Sequence, residues 1–382
     1  MNNTQHTKQW AIKTLVPEEV YTDRAFFLDY FYNAALKART RRTMSTVLLG
    51  QRRMGKTEIF KRVVNRLFFE QDHLDPQAVV PVYYSFPDFF KDRWDFAEKY
   101  VKNFIRWYAA FRLRDPSILW EEKLDREELV ALIRHKMTMS EGLEGSLHLL
   151  GSFLKKTVTA PEEVALQHPR WVADHDDSTI VVFLDEFQNL RLPQYDFDVV
   201  GYMQEAVESL TCPHFVTGSA MSILAREILG RGSLFGRFRS KPIEPLTVYF
   251  GAELTHKSAQ YYKTEVSQEM APIVAARCGG NPFYINAVVQ QAAEQEKAIL
   301  NEESLNTILS VDLSSGFIWN ELSDQVNRWI ERINEYKITK WILYLSAVQE
   351  GDRIDLSRIQ QQLLAKEGKQ VSLEQILSLI HI

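Results

Sequence analysis

Residues 50–57 read Gly50-Gln51-Arg52-Arg53-Met54-Gly55-Lys56-Thr57, a full G-x-x-x-x-G-K-[ST] phosphate-binding loop, and its flanks dictate what must surround it. The preceding Thr46-Val47-Leu48-Leu49 is an apolar run of the kind a buried strand requires, and the following Glu58-Ile59-Phe60-Lys61-Arg62-Val63-Val64 has helical spacing. Strand, glycine loop and helix in that order gather bare backbone N–H groups and the positive end of a helix around one point. There the glycines let the backbone wrap a phosphate, Lys56 is placed to reach the β- and γ-phosphates, and the Thr57 hydroxyl is placed to ligate Mg²⁺. Residues Gly50 to Thr57, with Glu58 behind them, are the expected nucleotide contacts, and ATP with Mg²⁺ is the expected ligand.

A second element separates a hydrolase from a kinase-like transferase. Thr179-Ile180-Val181-Val182-Phe183-Leu184 is continuous, apolar and β-rich, as a strand buried on both faces must be, and it ends in Asp185-Glu186. This has the form of a Walker B strand. Asp185 would hold Mg²⁺ through its water shell, while Glu186, one residue further into the cleft, is placed to orient or deprotonate the attacking water. Alone, an Asp-Glu pair after apolar residues usually marks a solvated strand end. Paired with the phosphate loop, it predicts hydrolysis.

Composition narrows the class less. At 382 residues the chain has room for about two to three domains, and 45% hydrophobic content supplies a large core. A net charge of −5 gives no global basic field announcing nucleic acid. The basic run Lys37-Ala38-Arg39-Thr40-Arg41-Arg42 reads as a solvated helix end. With Cys212 and Cys278 as its two cysteines, the chain lacks a disulfide framework and points to a reducing compartment. The polar start Met1-Asn2-Asn3-Thr4-Gln5-His6 and the absence of a bilayer-length apolar stretch make it an expected cytoplasmic protein without membrane contact.

Five strand candidates, Thr46–Gly50, Val79–Phe86, Thr179–Asp185, His214–Gly218 and Ser240–Leu246, alternate with helical segments and predict a parallel α/β sheet covered on both faces. Between the second and third lies an insertion, 87–178. Phe96–Arg114 and Glu127–Met139 read as amphipathic helices, and Gly145–Val158 is open between helix and hairpin. Trp94, Phe96, Tyr100, Phe104, Trp107, Tyr108 and Phe111 recur near helical spacing, which favours a core stripe over a base-stacking surface. His168 and His175, with Asp174, Asp176 and Asp177, read as a solvated loop rather than a metal site.

After Thr247 the pattern turns helical, with Ala252–Glu265 and Ser267–Arg277 first. Cys278-Gly279-Gly280-Asn281-Pro282 then reads as a helix stop followed by a proline-initiated start. The last portion contains Thr339–Gln349, Leu356–Lys366 and Leu373–Ile380, three short helices of helix-turn-helix or winged-helix type; no β-hairpin wing follows before Ile382, so the wing is absent or the chain shortened. The expected organisation is a flexible 1–14, a P-loop core over 15–250, a helical lid over 251–324 and a winged-helix-like, possibly incomplete unit over 325–382.

Two further positions carry candidate chemistry. Ser219, after the fourth strand, offers a hydroxyl that could sense the γ-phosphate or hold the water. Arg237 and Arg239 lie on Gly232-Ser233-Leu234-Phe235-Gly236-Arg237-Phe238-Arg239, and arginine supplies transition-state charge in phosphoryl transfer, from the same chain or a neighbour. Surface ion pairing is the competing reading.

The order Tyr21-Thr22-Asp23-Arg24, Gly50 to Glu58, Leu184-Asp185-Glu186-Phe187-Gln188-Asn189-Leu190, Thr217-Gly218-Ser219, Phe235-Gly236-Arg237 and Gly279-Gly280-Asn281-Pro282 resembles the archaeal-type ATPase family. That family belongs to the STAND group of P-loop NTPases, with an ASCE core similar to those of NACHT, NB-ARC and AAA+ proteins and of archaeal replication initiators. The match covers roughly residues 15–290. The resemblance implies that the Val20–Arg24 segment lies against the adenine, that Pro282 packs on the base from the lid, that Ser219 is a sensor and that Arg237 reads the γ-phosphate. One departure stands out: Phe283 to Ala293 in the lid is free of basic residues, so any second sensor arginine must come from elsewhere. The expected function is slow ATP hydrolysis driving a molecular switch, with an unidentified protein partner and a homo-oligomer as possible assemblies. The alternative is an initiator-like ATPase whose terminal helices bind DNA, which the net charge does not indicate.

Overall fold

A computed structural model describes residues 10–120, 125–191, 197, 199–218, 228, 232–333, 338–349 and 354–380. Strands β1 (Thr46–Leu49), β2 (Val80–Ser85), β3 (Ile180–Asp185), β4 (His214–Thr217) and β5 (Arg239–Pro242) pair in parallel, in the order β2-β3-β4-β1-β5. β1, β3 and β4 are buried along their whole lengths, as a parallel sheet covered on both faces demands. β4 stands between β1 and β3, and Thr217 Oγ1 donates to Leu48 O at 3.0 Å. The loops leaving β1 and β3 therefore open at one carboxyl edge, where α/β sheets bind ligands.

The strand ends are shorter than their apolar runs. β5 stops at Pro242 rather than reaching Leu246, because Pro242 and Pro245 lack the N–H that a continued ladder needs; as an edge strand it tolerates the proline it carries.

Helices α1 (Ala25–Lys37) and α2 (Lys56–Glu70) flank the sheet, and the insertion folds as α3 (Arg93–Leu113), α4 (Ser117–Trp120), α5 (Arg126–Lys136), α6 (Glu141–Leu154) and α7 (Pro161–His175). Phe96, Tyr100, Phe104, Trp107, Tyr108 and Phe111 are buried in the same core as the sheet, with Trp94 at its margin. The segment left open between helix and hairpin is helix α6, whose first turn is capped by Ser140 Oγ accepting from Leu143 N. His168, Asp174 and His175 lie in helix α7, not in a solvated loop. Ala165, Leu166, Val172 and Ala173 bury one face of α7, while Pro169 and the polar opposite face blur its periodicity.

Beyond α8 (Met203–Val207) and β5, helices α9 (Val248–Tyr262), α10 (Met270–Arg277), α11 (Pro282–Glu294), α12 (Glu302–Ser315) and α13 (Phe317–Ile333) surround a second core that includes Leu254, Val274, Ile285, Val288 and Ile308. The proline-initiated start holds: the Asn281 side chain accepts from Phe283 N and Tyr284 N, and Pro282 opens α11. Helices α14 (Thr339–Ala347), α15 (Leu356–Glu367) and α16 (Leu373–Ile380) enclose a third core of Ile342, Leu345, Ile359, Leu363 and Ile376. Among the described residues no helix is long and apolar enough to cross a membrane.

Candidate functional site

At the carboxyl edge of β1 and β3 a cleft of about 700 Å³ is lined by Arg52 to Glu58, by Asp185 and Glu186, and by residues of the N-terminal segment and the lid. That volume lies within the range of small-molecule sites, about 300–1,000 Å³. β1 delivers the phosphate loop through Gly50, where a Cβ would sit 2.2 Å from Ile243 Cγ2, so the chain leaving β5 passes too close for any side chain. Lys56 begins α2 and its Nζ donates to Gly50 O at 2.8 Å and Gln51 O at 2.6 Å. Burial lowers its pKa to about 8, against the opposing pull of the Asp185 and Glu186 charges.

Asp185 is buried at the end of β3. Its Oδ2 accepts from the Tyr83 hydroxyl at 2.9 Å, its Oδ1 from the Glu186 N–H at 2.8 Å, and its carboxylate is hydrogen-bonded by the Thr57 side chain. Burial raises its pKa, and a nearby cation would reverse that penalty. A hydroxyl and a carboxylate side by side are hard oxygen donors of the kind Mg²⁺ takes when waters and phosphates complete its shell, so Thr57 and Asp185 fit the ion. Among the described residues no cluster of three or more His, Cys, Asp or Glu offers an all-protein metal cage.

Glu186 has φ +53°, a left-handed backbone that a non-glycine residue adopts at a cost of about 1–3 kcal/mol. Its carboxylate accepts a hydrogen bond from Gln188 Nε2, and Asn189 Nδ2 donates to Phe86 O at 2.9 Å and Asp88 Oδ1 at 3.0 Å. The Asp-Glu-Phe-Gln-Asn string thus orients the glutamate and ties the end of β3 to the loop after β2. Sequence reasoning quoted Gln188 and Asn189 but gave them no role.

Tyr21 and Arg24 of the N-terminal segment also line the cleft, as do Pro282 and Asn286 of α11. What fixes the N-terminal segment is α2. Glu58 Oε2 accepts from Leu15 N at 2.7 Å, Asn65 Oδ1 from Ala11 N at 2.8 Å, and Arg62 donates to Glu58 Oε1, Glu18 Oε1 and Val16 O. The Arg62 guanidinium also lies 3.8 Å from the Tyr21 ring centroid. Glu58 lines the cleft, but its carboxylate serves this strap. Arg62 and Asn65 escaped the sequence reading, since nothing in a helix interior marks which residues will catch a segment over 40 positions away. Arg24 is 6% exposed, has φ +74°, and its Nη2 is buried without a hydrogen-bond partner. A buried donor on the cleft wall fits an acceptor-bearing ligand.

One of the expected catalytic positions is not brought into the cleft. Arg237 Nε lies 2.9 Å from Glu208 Oε1, and its Nη2 donates to Gln204 Oε1 at 3.3 Å, beside α8. Ser219 lies outside the described residues, although its neighbour Gly218 lines the cleft.

No protein-family model matches the chain, and no curated protein matches its sequence. Solved structures do. The Aeropyrum pernix ORC1 protein in complex with DNA is similar at 13% identity and a TM-score of 0.47, over 96% of this chain and 85% of that one. The Thermotoga maritima RuvB Holliday junction branch migration motor is similar at 13% identity and a TM-score of 0.41, over 92% and 83%. The Walker-type ATPase PABY2304 of Pyrococcus abyssi is similar at 14% identity and a TM-score of 0.57, over 97% of this chain and 91% of that one, and this likeness shows the chain to have the α/β fold of a P-loop ATPase.

Proposed function

We propose that the chain binds ATP in this cleft and hydrolyses it slowly, as a nucleotide-dependent switch of the STAND type. The observation that carries the reading is the convergence of Lys56, Thr57, Asp185 and Glu186, from two non-adjacent strands, at one mouth. Lys56 and the loop N–H groups hold the phosphates, and Tyr21, Arg24 and Pro282 hold the base. Mg²⁺ bound by Thr57 and Asp185 would offset the charge that develops on the phosphates. Glu186, poised by Gln188, takes the proton of the attacking water. Arg237, paired outside this cleft, fits a finger offered to a neighbouring subunit better than one acting within the chain.

Lys56→Ala removes the cation aimed at the phosphates, so ATP affinity measured by titration calorimetry should fall about tenfold or more. Equal affinity in the two chains would sink the assignment. A DNA-engaging ATPase is the second reading, favoured by the separate three-helix core of α14, α15 and α16. It requires DNA binding that weakens steeply between low and moderate salt.

A further inference from the structure

Arg52 and Arg53 occupy variable positions of the phosphate loop, line the cleft, and also reach across to α13. Arg52 Nε lies 2.8 Å from Glu321 Oε1 and its Nη2 lies 3.0 Å from Asp324 Oδ2. Arg53 donates to Glu321 Oε2 from Nε at 2.9 Å and Nη2 at 2.5 Å, and its guanidinium lies 4.8 Å from the Phe283 ring centroid. Gln325 Nε2 adds a bond to Glu321 Oε1 at 2.9 Å. The Glu321 side chain is 3% exposed. Burial pushes its carboxyl up, and the Arg53 and Gln325 hydrogen bonds outweigh that and leave it below its ordinary value. A carboxylate so enclosed is stable only while its cations stay in place. The lid, which has no basic residue from Phe283 to Ala293, thus meets the phosphate loop with anions while the loop supplies the cations.

We propose that Glu321 and Asp324 form a latch that competes with the phosphates of a bound nucleotide for Arg52 and Arg53, so that nucleotide binding loosens α13 from the phosphate loop. This rests on the nucleotide-binding reading above. Guanidinium donors committed to carboxylates, two from Arg53 to Glu321 Oε2 and one each from Arg52 to Glu321 and Asp324, are withdrawn from phosphate, which the same groups suit equally well. Coupling of this kind is reciprocal: what the phosphates do to the latch, the latch does to phosphate affinity. Among the described residues α13 is the last helix before the C-terminal three-helix core, so its release carries the occupancy of the cleft toward that unit.

The test uses the full chain, a non-hydrolysable ATP analogue, and hydrogen exchange over residues 317–333. Glu321→Gln should bind the analogue about tenfold more tightly than wild type. In wild type the analogue should lower α13 protection, and in Glu321→Gln protection should be low without it. Asp324→Asn removes a 41% exposed carboxylate facing one arginine, should tighten binding about threefold, and carries the test if Glu321→Gln fails to fold. Unchanged or weaker binding in the folded variants, with α13 protection indifferent to or raised by the analogue, overturns the latch alone. Failure of wild type to bind the analogue overturns the nucleotide reading and the latch together.

Discussion

The side of the cleft proposed for the phosphates is lined by Lys56 and Thr57, which open α2 after β1, and by Asp185 and Glu186 at the end of β3, while the side proposed for the base is assembled from Tyr21 and Arg24, strapped across α2, and Pro282 of α11. The first side draws its geometry from the sheet, whose core persists whether or not a single terminal side chain changes. The second draws its geometry from a few side-chain bonds among Glu58, Arg62, Asn65 and the segment 11–18. Substitutions should therefore separate: chemistry lost without loss of fold on one side, stability and affinity lost with chemistry intact on the other.

The largest break expected is at Glu186. Glu186→Gln keeps the hydrogen-bonding shape but not the base, so turnover at saturating Mg-ATP should fall by about a hundredfold or more. Its thermal midpoint should stay at the wild-type value, because no core contact is removed. A variant of unchanged turnover would pass the role to another group; a variant of lowered midpoint would erase the difference between the two sides.

Arg62→Ala probes the other side. It strands the buried Glu58 carboxylate and frees the segment that carries Tyr21, and breaking a buried pair from one partner costs about 3–5 kcal/mol. Denaturant titration should show that loss, and steady-state kinetics should show a raised KM with kcat per folded molecule close to wild type. A fall in kcat with KM unchanged would mean that the strap positions the phosphates rather than the base wall.

The same contrast governs what was legible in the sequence. Gly50 to Thr57 and Ile180 to Glu186 are contiguous strings whose chemistry and secondary structure coincide, and the parallel sheet they predict is the one observed. The strap is not contiguous. Glu58 meets Leu15 across 43 positions, and Arg53 meets Glu321 across 268, distances at which an acid on a helix carries no spacing signal. Helix α7 is hidden in the sequence for a local reason, since Pro169 signals a helix break although it buries on the same face as Leu166 and Val172. The helical reading of 251–324 gives no separate bounds for α12 and α13. The Arg237 pairing with Glu208 was equally invisible, because a surface ion pair and a catalytic finger ask for the same residue on the same kind of loop.

The smallest expected effect lies in the insertion, away from both sides, and serves as their control. His168 is 5% exposed in α7, its Nε2 lies 2.7 Å from Ser146 Oγ, and burial lowers its pKa to about 3. Unfolded, the ring titrates near 6.5, so below that pH the unfolded chain binds a proton that the folded chain refuses. The folded state is therefore fully favoured above about pH 6.5 and loses about 1.4 kcal/mol per pH unit as pH falls toward 3. His214, buried in β4 with its pKa lowered to about 4, adds a second slope of the same sign. His168→Gln retains a partner for Ser146 but cannot titrate. Urea titrations from pH 7 to pH 4.5 should show its stability falling less steeply than wild type by one proton's slope, with ATP affinity unchanged at pH 7. A variant that follows the wild-type slope would mean the folded chain protonates His168 as readily as the unfolded one.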